Sequence, residues 1–189
     1  QNVYVDAAAK ITANALTNGN GGKIIVWSDK STKFYGSAYA TGGSQSGDGG
    51  FVETSGKQTL DFLGAQVNTS AKQGHAGTWL LDPEDIVIDA ARASTIMNGL
   101  QSGNVIVQTS TTLAGNGDIT VDSDITWNNG NTLTLSAYRN ITVNNAITNA
   151  SGGSLILQAD NTGIGTGSFY FSVSTPNIRM SGGGRVIFY

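Results

Sequence analysis

The chain contains no cysteine, which excludes disulfide frameworks, thiolate zinc sites and cysteine nucleophiles together. Its single histidine, His75, leaves no second imidazole for a two-histidine metal site. Charge is scarce: Asp, Glu, Lys and Arg make up 12% of the 189 residues, and the net charge is −3. The 10 Lys and Arg are scattered, so neither a nucleic acid nor an anionic membrane surface is an expected partner. No apolar run approaches the roughly 20 residues of a membrane span. The opening Gln1-Asn2-Val3-Tyr4 has neither an initiator Met nor the look of a signal peptide, and the chain reads as an internal segment of a longer one. No cofactor is expected.

What is abundant is turn chemistry. There are 26 Gly, 17 Asn, 18 Ser and 21 Thr, while the hydrophobic fraction of 39% is that of ordinary globular chains. With 2 Pro and no every-third-Gly period the chain is not collagen, and its low charge is not that of a disordered segment. Many short strands punctuated by turns fit this composition.

A recurrent unit organises the chain: a Gly pair or Gly-Asn, then alternating apolar residues, then Ser, Thr, Asn or Asp. It occurs at Gly21-Gly22-Lys23-Ile24-Ile25-Val26-Trp27, Gly49-Gly50-Phe51-Val52, Ala76-Gly77-Thr78-Trp79-Leu80-Leu81, Gly103-Asn104-Val105-Ile106-Val107, Gly117-Asp118-Ile119-Thr120-Val121, Gly152-Gly153-Ser154-Leu155-Ile156-Leu157 and Gly183-Gly184-Arg185-Val186-Ile187-Phe188. From Gly22 to Gly50, Gly77 and Gly103 the steps are 28, 27 and 26 residues. One coil cannot bury its own apolar face, so such a repeat stacks. The expected fold is all-β, a parallel β-helix forming one unit over residues 1–189, with an antiparallel sandwich or barrel as the competing architecture. Coils of about 20 to 28 residues stacked about 4.8 Å apart predict a rod of roughly 35 to 45 Å.

Period-two alternation assigns faces. Ile119, Val121 and Ile125 share the core side, and Thr120, Asp122 and Asp124 the wet one. Leu133 with Leu135, Ile141 with Val143, and Phe169 with Phe171 and Val173 follow the same rule. Residues 89–101 break it: Asp89 can cap a short helix, and Ala93, Ile96, Met97 and Leu100 recur at helical spacing. This helix is expected to pack on the solenoid.

The ordered series Gly21-Gly22-Lys23-Ile24-Ile25-Val26-Trp27-Ser28-Asp29, Phe34-Tyr35-Gly36, Gly49-Gly50-Phe51-Val52-Glu53-Thr54-Ser55-Gly56 and Gly77-Thr78-Trp79-Leu80-Leu81-Asp82-Pro83-Glu84-Asp85-Ile86 resembles the signature of filamentous-haemagglutinin-type exoproteins of two-partner secretion systems. Gly115-Asn116-Gly117-Asp118-Ile119, Arg139-Asn140-Ile141-Thr142-Val143 and the closing Gly182-Gly183-Gly184-Arg185-Val186 extend the resemblance over roughly residues 20–189. It implies a right-handed parallel β-helix within a large secreted bacterial surface adhesin, exported through a partner outer-membrane transporter. The implied partners are host or bacterial surface glycans or matrix polysaccharide.

Candidate ligand-binding residues are the aromatics Trp27, Tyr35, Tyr39, Trp79, Trp127 and Tyr138, since a ring stacks on a sugar face while neighbouring Asn, Asp and Thr bond the hydroxyls. Asp122 and Asp124 are candidate ligand-binding residues too; with Asp118 nearby they would also form the carboxylate set of a polysaccharide lyase or hydrolase on a β-helix, the alternative to the expected non-enzymatic role. This enzymatic reading competes with adhesion, although no Arg, Lys or His lies beside these aspartates in sequence. Asp82-Pro83-Glu84-Asp85 reads as a structural corner, with a weak cation site as its alternative. Asn68, Asn140 and Asn149 head Asn-x-Ser/Thr sequons no more often than composition produces. His75, Met97 and Met180 are the only plausible axial ligands for haem.

Overall fold

The computed structural model describes residues 1–110, 115–172 and 178–189. The chain winds into a parallel β-solenoid of about six turns with one short helix. The first coil comprises β1 (Asn2–Val5), β2 (Lys10–Thr12) and β3 (Lys23–Ser28), and the second β4 (Ser31–Phe34), β5 (Ser37–Tyr39) and β6 (Phe51–Gly56). The third comprises β7 (Thr59–Asp61), β8 (Gln66–Asn68) and β9 (Thr78–Asp82). In the fourth, β10 (Ile86–Ile88) leads into the helix α1 (Ala90–Leu100) and then β11 (Asn104–Gln108). The later coils comprise β12 (Ile119–Val121), β13 (Ile125–Trp127) and β14 (Leu133–Ser136), then β15 (Ile141–Val143), β16 (Ile147–Asn149) and β17 (Leu155–Gln158), and finally β18 (Phe169–Phe171), β19 (Ile178–Met180) and β20 (Val186–Phe188).

One face runs unbroken through the stack: the seven-stranded sheet β3-β6-β9-β11-β14-β17-β20 is the spine. The other two faces are each divided at the fourth coil, into β1-β4-β7 and β10-β12-β15-β18, and into β2-β5-β8 and β13-β16-β19. In that coil α1 stands where the second strand belongs, between β8 and β13, and it packs against β8, β10, β11 and β13.

Register stacks like on like. Ile24, Val52, Trp79, Val105, Leu133, Leu155 and Val186 form one inward column of the spine. Val26, Thr54, Leu81, Val107, Leu135, Leu157 and Phe188 form the next. Ile119, Val121, Ile125, Leu133, Leu135, Ile141 and Val143 are all fully buried, as their alternation predicts. Phe169 and Phe171 share a side with rings 6.4 Å apart, but Phe171 is 44% exposed in the last coil; Val173 lies outside the described residues.

The helix follows its sequence signals. Asp89 Oδ1 accepts from the Arg92 backbone N–H at 2.9 Å, capping the first turn. Ala93, Ile96 and Leu100 are buried, and Met97 lies against the core. At the other end the Asn129 and Asn131 amides donate to the Leu100 carbonyl at 2.8 and 2.7 Å, so the following coil satisfies an orphan acceptor. Gly99 faces the Trp79 ring and leaves no room for a methyl group.

Two sequence expectations need correction. The Gly117 copy of the recurrent unit does not open a spine strand: it leads into β12, on another face, and β14 enters the spine from Asn131-Thr132 instead. The rod is also shorter. Spine partners lie between 22 residues apart (Leu133 to Leu155) and 31 apart (Leu155 to Val186), so the chain completes fewer coils and the seven strands span about 29 Å.

The Gly pairs have a steric cause. A methyl at Gly50 would strike the Gly22 carbonyl, and one at Gly77 the Gly50 carbonyl, because each coil's lead-in rests on the backbone beneath. Gly77→Ala is therefore expected to cost about 3 kcal/mol or more. Gly130→Ala, which points into open space, should be near neutral. Urea denaturation of the two variants checks the contrast.

Candidate functional site

The structure separates the predicted aromatics by face. Because Ile24 and Val26 point inward, Trp27 points out and is 48% exposed. Trp79 and Trp127 are each 1% exposed and cannot stack on a ligand; this corrects their assignment as ligand-binding residues. Both sit at inward positions of their strands, and both indole N–H groups are satisfied inside: Trp79 donates to Thr54 Oγ1 at 3.1 Å and Trp127 to the Asn131 carbonyl at 2.8 Å. Tyr35 is half-buried and its hydroxyl donates to Asp61 Oδ2 at 2.6 Å, which pushes its pKa upward. Tyr138 is half-buried, behind the Gly117 turn.

The aspartates have partners that sequence order hides. Arg139, one coil later, forms a bidentate pair with Asp118, its Nε 2.9 Å from Oδ1. The Asp118 carboxyl is held below the ordinary range chiefly by this guanidinium. A cation is therefore present beside Asp118 after all. Asp122 and Asp124 do not share a flat strand face, because the chain bends between β12 and β13. Asp122 accepts from Asn144 Nδ2 at 2.7 Å and Asp124 from the Ala146 backbone N–H at 3.0 Å. Each is an exposed corner bracket to the next coil.

The Asp82–Asp85 turn behaves likewise. Glu84 is buried and accepts from the Gly115 backbone at 2.9 Å. Asp85 accepts from the Asn116 and Asp118 backbones, the latter at 2.8 Å. Among the described residues no three His, Asp or Glu side chains are grouped to hold a metal ion. His75 is exposed, and its backbone N–H donates to Asp48. Of the sequon residues, Asn149 is 2% exposed; its Oδ1 accepts from the Ser151 and Gly153 backbones and its amide donates to Asn129.

Unpaired polar groups gather in a groove of about 380 Å³ beside α1, lined by Tyr39, Gln66, Val67, Asn68, Asn98 and Ser102. Its floor is the outward side of β5 and β8, where Tyr39 stands between Thr12 and Asn68, and Ser37 between Lys10 and Gln66. Its wall is the C-terminal end of α1. A helix with side chains is about 10 Å thick, so α1 rises above the sheet it interrupts and makes the step. Lys10 Nζ lies 4.8 Å from the centre of the Tyr39 ring. Asn68 Oδ1 accepts from Ser70. No hydrogen bond to a described residue engages the Tyr39 hydroxyl, the Gln66 amide, the Asn98 amide or the Ser102 hydroxyl. Tyr39 was among the sequence candidates; the others were not, because only the fold brings residues 66, 98 and 102 together.

The chain matches no known family model and no curated protein.

The Asp82 carboxyl is strongly perturbed. Asp82, half-buried on the outward side of the spine, is raised to about 6, mainly by burial and further by the charge of Glu53. A folded-state pKa above the unfolded value means that Asp82 supports the fold when protonated, below about pH 4, and that this support is lost as pH rises through about 6. Asp82→Asn should therefore raise stability at pH 8 by about 1 kcal/mol, after screening at a half-exposed site, and change little at pH 4. Thermal melts at the two pH values check it.

Proposed function

We propose that the chain is a structural and adhesive segment of a large secreted bacterial surface adhesin, a β-solenoid shaft that engages surface glycans or matrix polysaccharide along the groove beside α1. The observation that carries the reading is the groove itself. Tyr39 supplies a half-buried ring, and the Tyr39 hydroxyl, Gln66, Asn98 and Ser102 supply donors and acceptors with no competing hydrogen-bond partner among the described residues. A sugar presents apolar C–H faces and rings of hydroxyls, so it needs this combination of platform and amides. The groove is open and follows the solenoid face, which suits a segment of a long polymer more than a small enclosed ligand. The sequence resemblance to filamentous-haemagglutinin-type exoproteins supports the secreted, surface-attached context, with export through a partner outer-membrane transporter.

A polysaccharide lyase or hydrolase is the second reading, and Arg139 beside Asp118 is the observation in its favour. Against it, Asp118, Asp122 and Asp124 each hold a neighbouring coil, and a group that braces the backbone is poorly placed to trade a proton with substrate.

Co-elution of the chain with labelled polysaccharides, scored with polymer length, tests both readings. Tyr39→Ala and Asn98→Ala should each weaken co-elution at least tenfold without lowering the melting temperature, while Trp27→Ala should leave it unchanged. Shortened polymer that Asp122→Asn abolishes would establish the enzyme instead.

A further inference from the structure

Within this one molecule two kinds of strand coexist. Off the spine, β12, β13, β15 and β16 read Ile-Thr-Val, Ile-Thr-Trp, Ile-Thr-Val and Ile-Thr-Asn, with an apolar residue inward and Thr120, Thr126, Thr142 and Thr148 toward solvent. Five of the seven spine strands do not alternate: Ile24-Ile25-Val26-Trp27, Trp79-Leu80-Leu81, Val105-Ile106-Val107, Leu155-Ile156-Leu157 and Val186-Ile187-Phe188 are continuous apolar runs. Such runs belong to parallel strands covered on both faces. The core covers only one. On the outward face Ile25, Leu80, Ile106, Ile156 and Ile187 stand in one register column, interrupted by Glu53 and Thr134. Ile25 and Trp27 are 52% and 48% exposed at its start.

We infer that this face is an interface between two copies of the chain. Seven strands about 4.8 Å apart, with three outward positions each at β3, β9 and β11, make a flat patch of about 30 by 20 Å at its widest, the aliphatic column down its middle and groups such as Lys23 and Asn104 on one flank and Asp82, Gln108 and Gln158 on the other. Fully covered, this comes close to the ~800 Å² per partner of stable complexes. What covers it must be flat, equally long and aliphatic along its midline, with polar flanks. Among the described residues no other surface of the molecule qualifies: the remaining sheets have three or four strands and turn residues such as Lys10, Gln66, Thr120 and Thr148 outward. The spine of a second copy does.

The two-fold axis that runs along the strands is the favoured one. It sets Ile106 against Ile106 of the other copy and Ile25 against Ile187, and it places Glu53 near Ile156. An axis along the solenoid would instead press the two Glu53 carboxylates together. Lys23 and Arg185 then meet only at the solvated corners. Sheets packed face to face cross at about 30°, so these pairings give levels rather than atomic contacts. This inference is independent of the glycan groove, which lies on another face.

Sedimentation velocity over a concentration series tests it, with circular dichroism as the folding control. The 19.5 kDa chain is expected to shift to twice that mass, and Ile106→Lys to raise the dissociation constant at least tenfold. Phe188→Lys, at the end of the stack, should leave the dimer intact. If Ile106→Lys fails to fold, Thr134→Lys in the same column replaces it. A chain that stays monomeric throughout, an Ile106→Lys variant that associates like the parent, or association that only Phe188→Lys removes would overturn the inference, the last by placing contact at the ends.

Discussion

Everything in this molecule depends on the in-register parallel pairing of the spine. Each residue of one coil must lie over its counterpart in the next, because the side-chain period of a strand is two and a one-residue slip would turn every apolar inward group to solvent. The columns beginning at Ile24 and Val26 are held this way through all seven strands. Register also explains the glycines. Where the chain leaves a corner and enters the spine, backbone rests on backbone, and a side chain at Gly50 or Gly77 would lift one coil off the other.

The same constraint accounts for the excess of Asn and Asp. Corners interrupt the ladder hydrogen bonds, and their backbone N–H groups still need acceptors. Asn20 accepts from the Asp48 backbone and Asp48 from the His75 backbone, a vertical series of short side chains reaching one coil onward. Asn104 to Thr132, Asn140 to Ser168 and Asp124 to Ala146 repeat the device elsewhere. Asn and Asp are short enough to stay in the corner and carry the needed oxygen. A carboxylate rich in such bonds is a structural element, and sequence spacing alone made Asp122 and Asp124 resemble a reactive pair.

The solenoid and the helix were legible because both are periodic: the 28, 27 and 26-residue steps and the spacing of Ala93, Ile96, Met97 and Leu100 are local signals. What was not legible depends on stacking. Nothing near Asp118 in sequence announces Arg139, which arrives 21 positions later as one coil settles on another. The Gly117 copy looks like any other unit, yet it follows a spine strand instead of leading into one, so it opens β12 on a different face. Trp27 stands five residues past Gly22, and Trp79 two past Gly77. That odd difference of three positions separates a ring at the surface from one that fills the core beneath Gly99.

The helix gives the regular solenoid its one irregular place. A solenoid that repeats perfectly satisfies its own polar groups by repetition, since each corner meets the next, and its faces stay flat. At α1 the ladder from β8 has no strand to continue into, so the outward amides of that edge meet a helix of different pitch. Side chains spaced at 3.6 residues per turn cannot match partners spaced one strand apart. Mismatch leaves Gln66, Asn98 and Ser102 facing a shared space without pairing, and it also raises the wall that encloses them. The binding proposed for this groove thus rests on the coil that breaks the repeat, while the coils around it supply the rigidity that holds these groups in place.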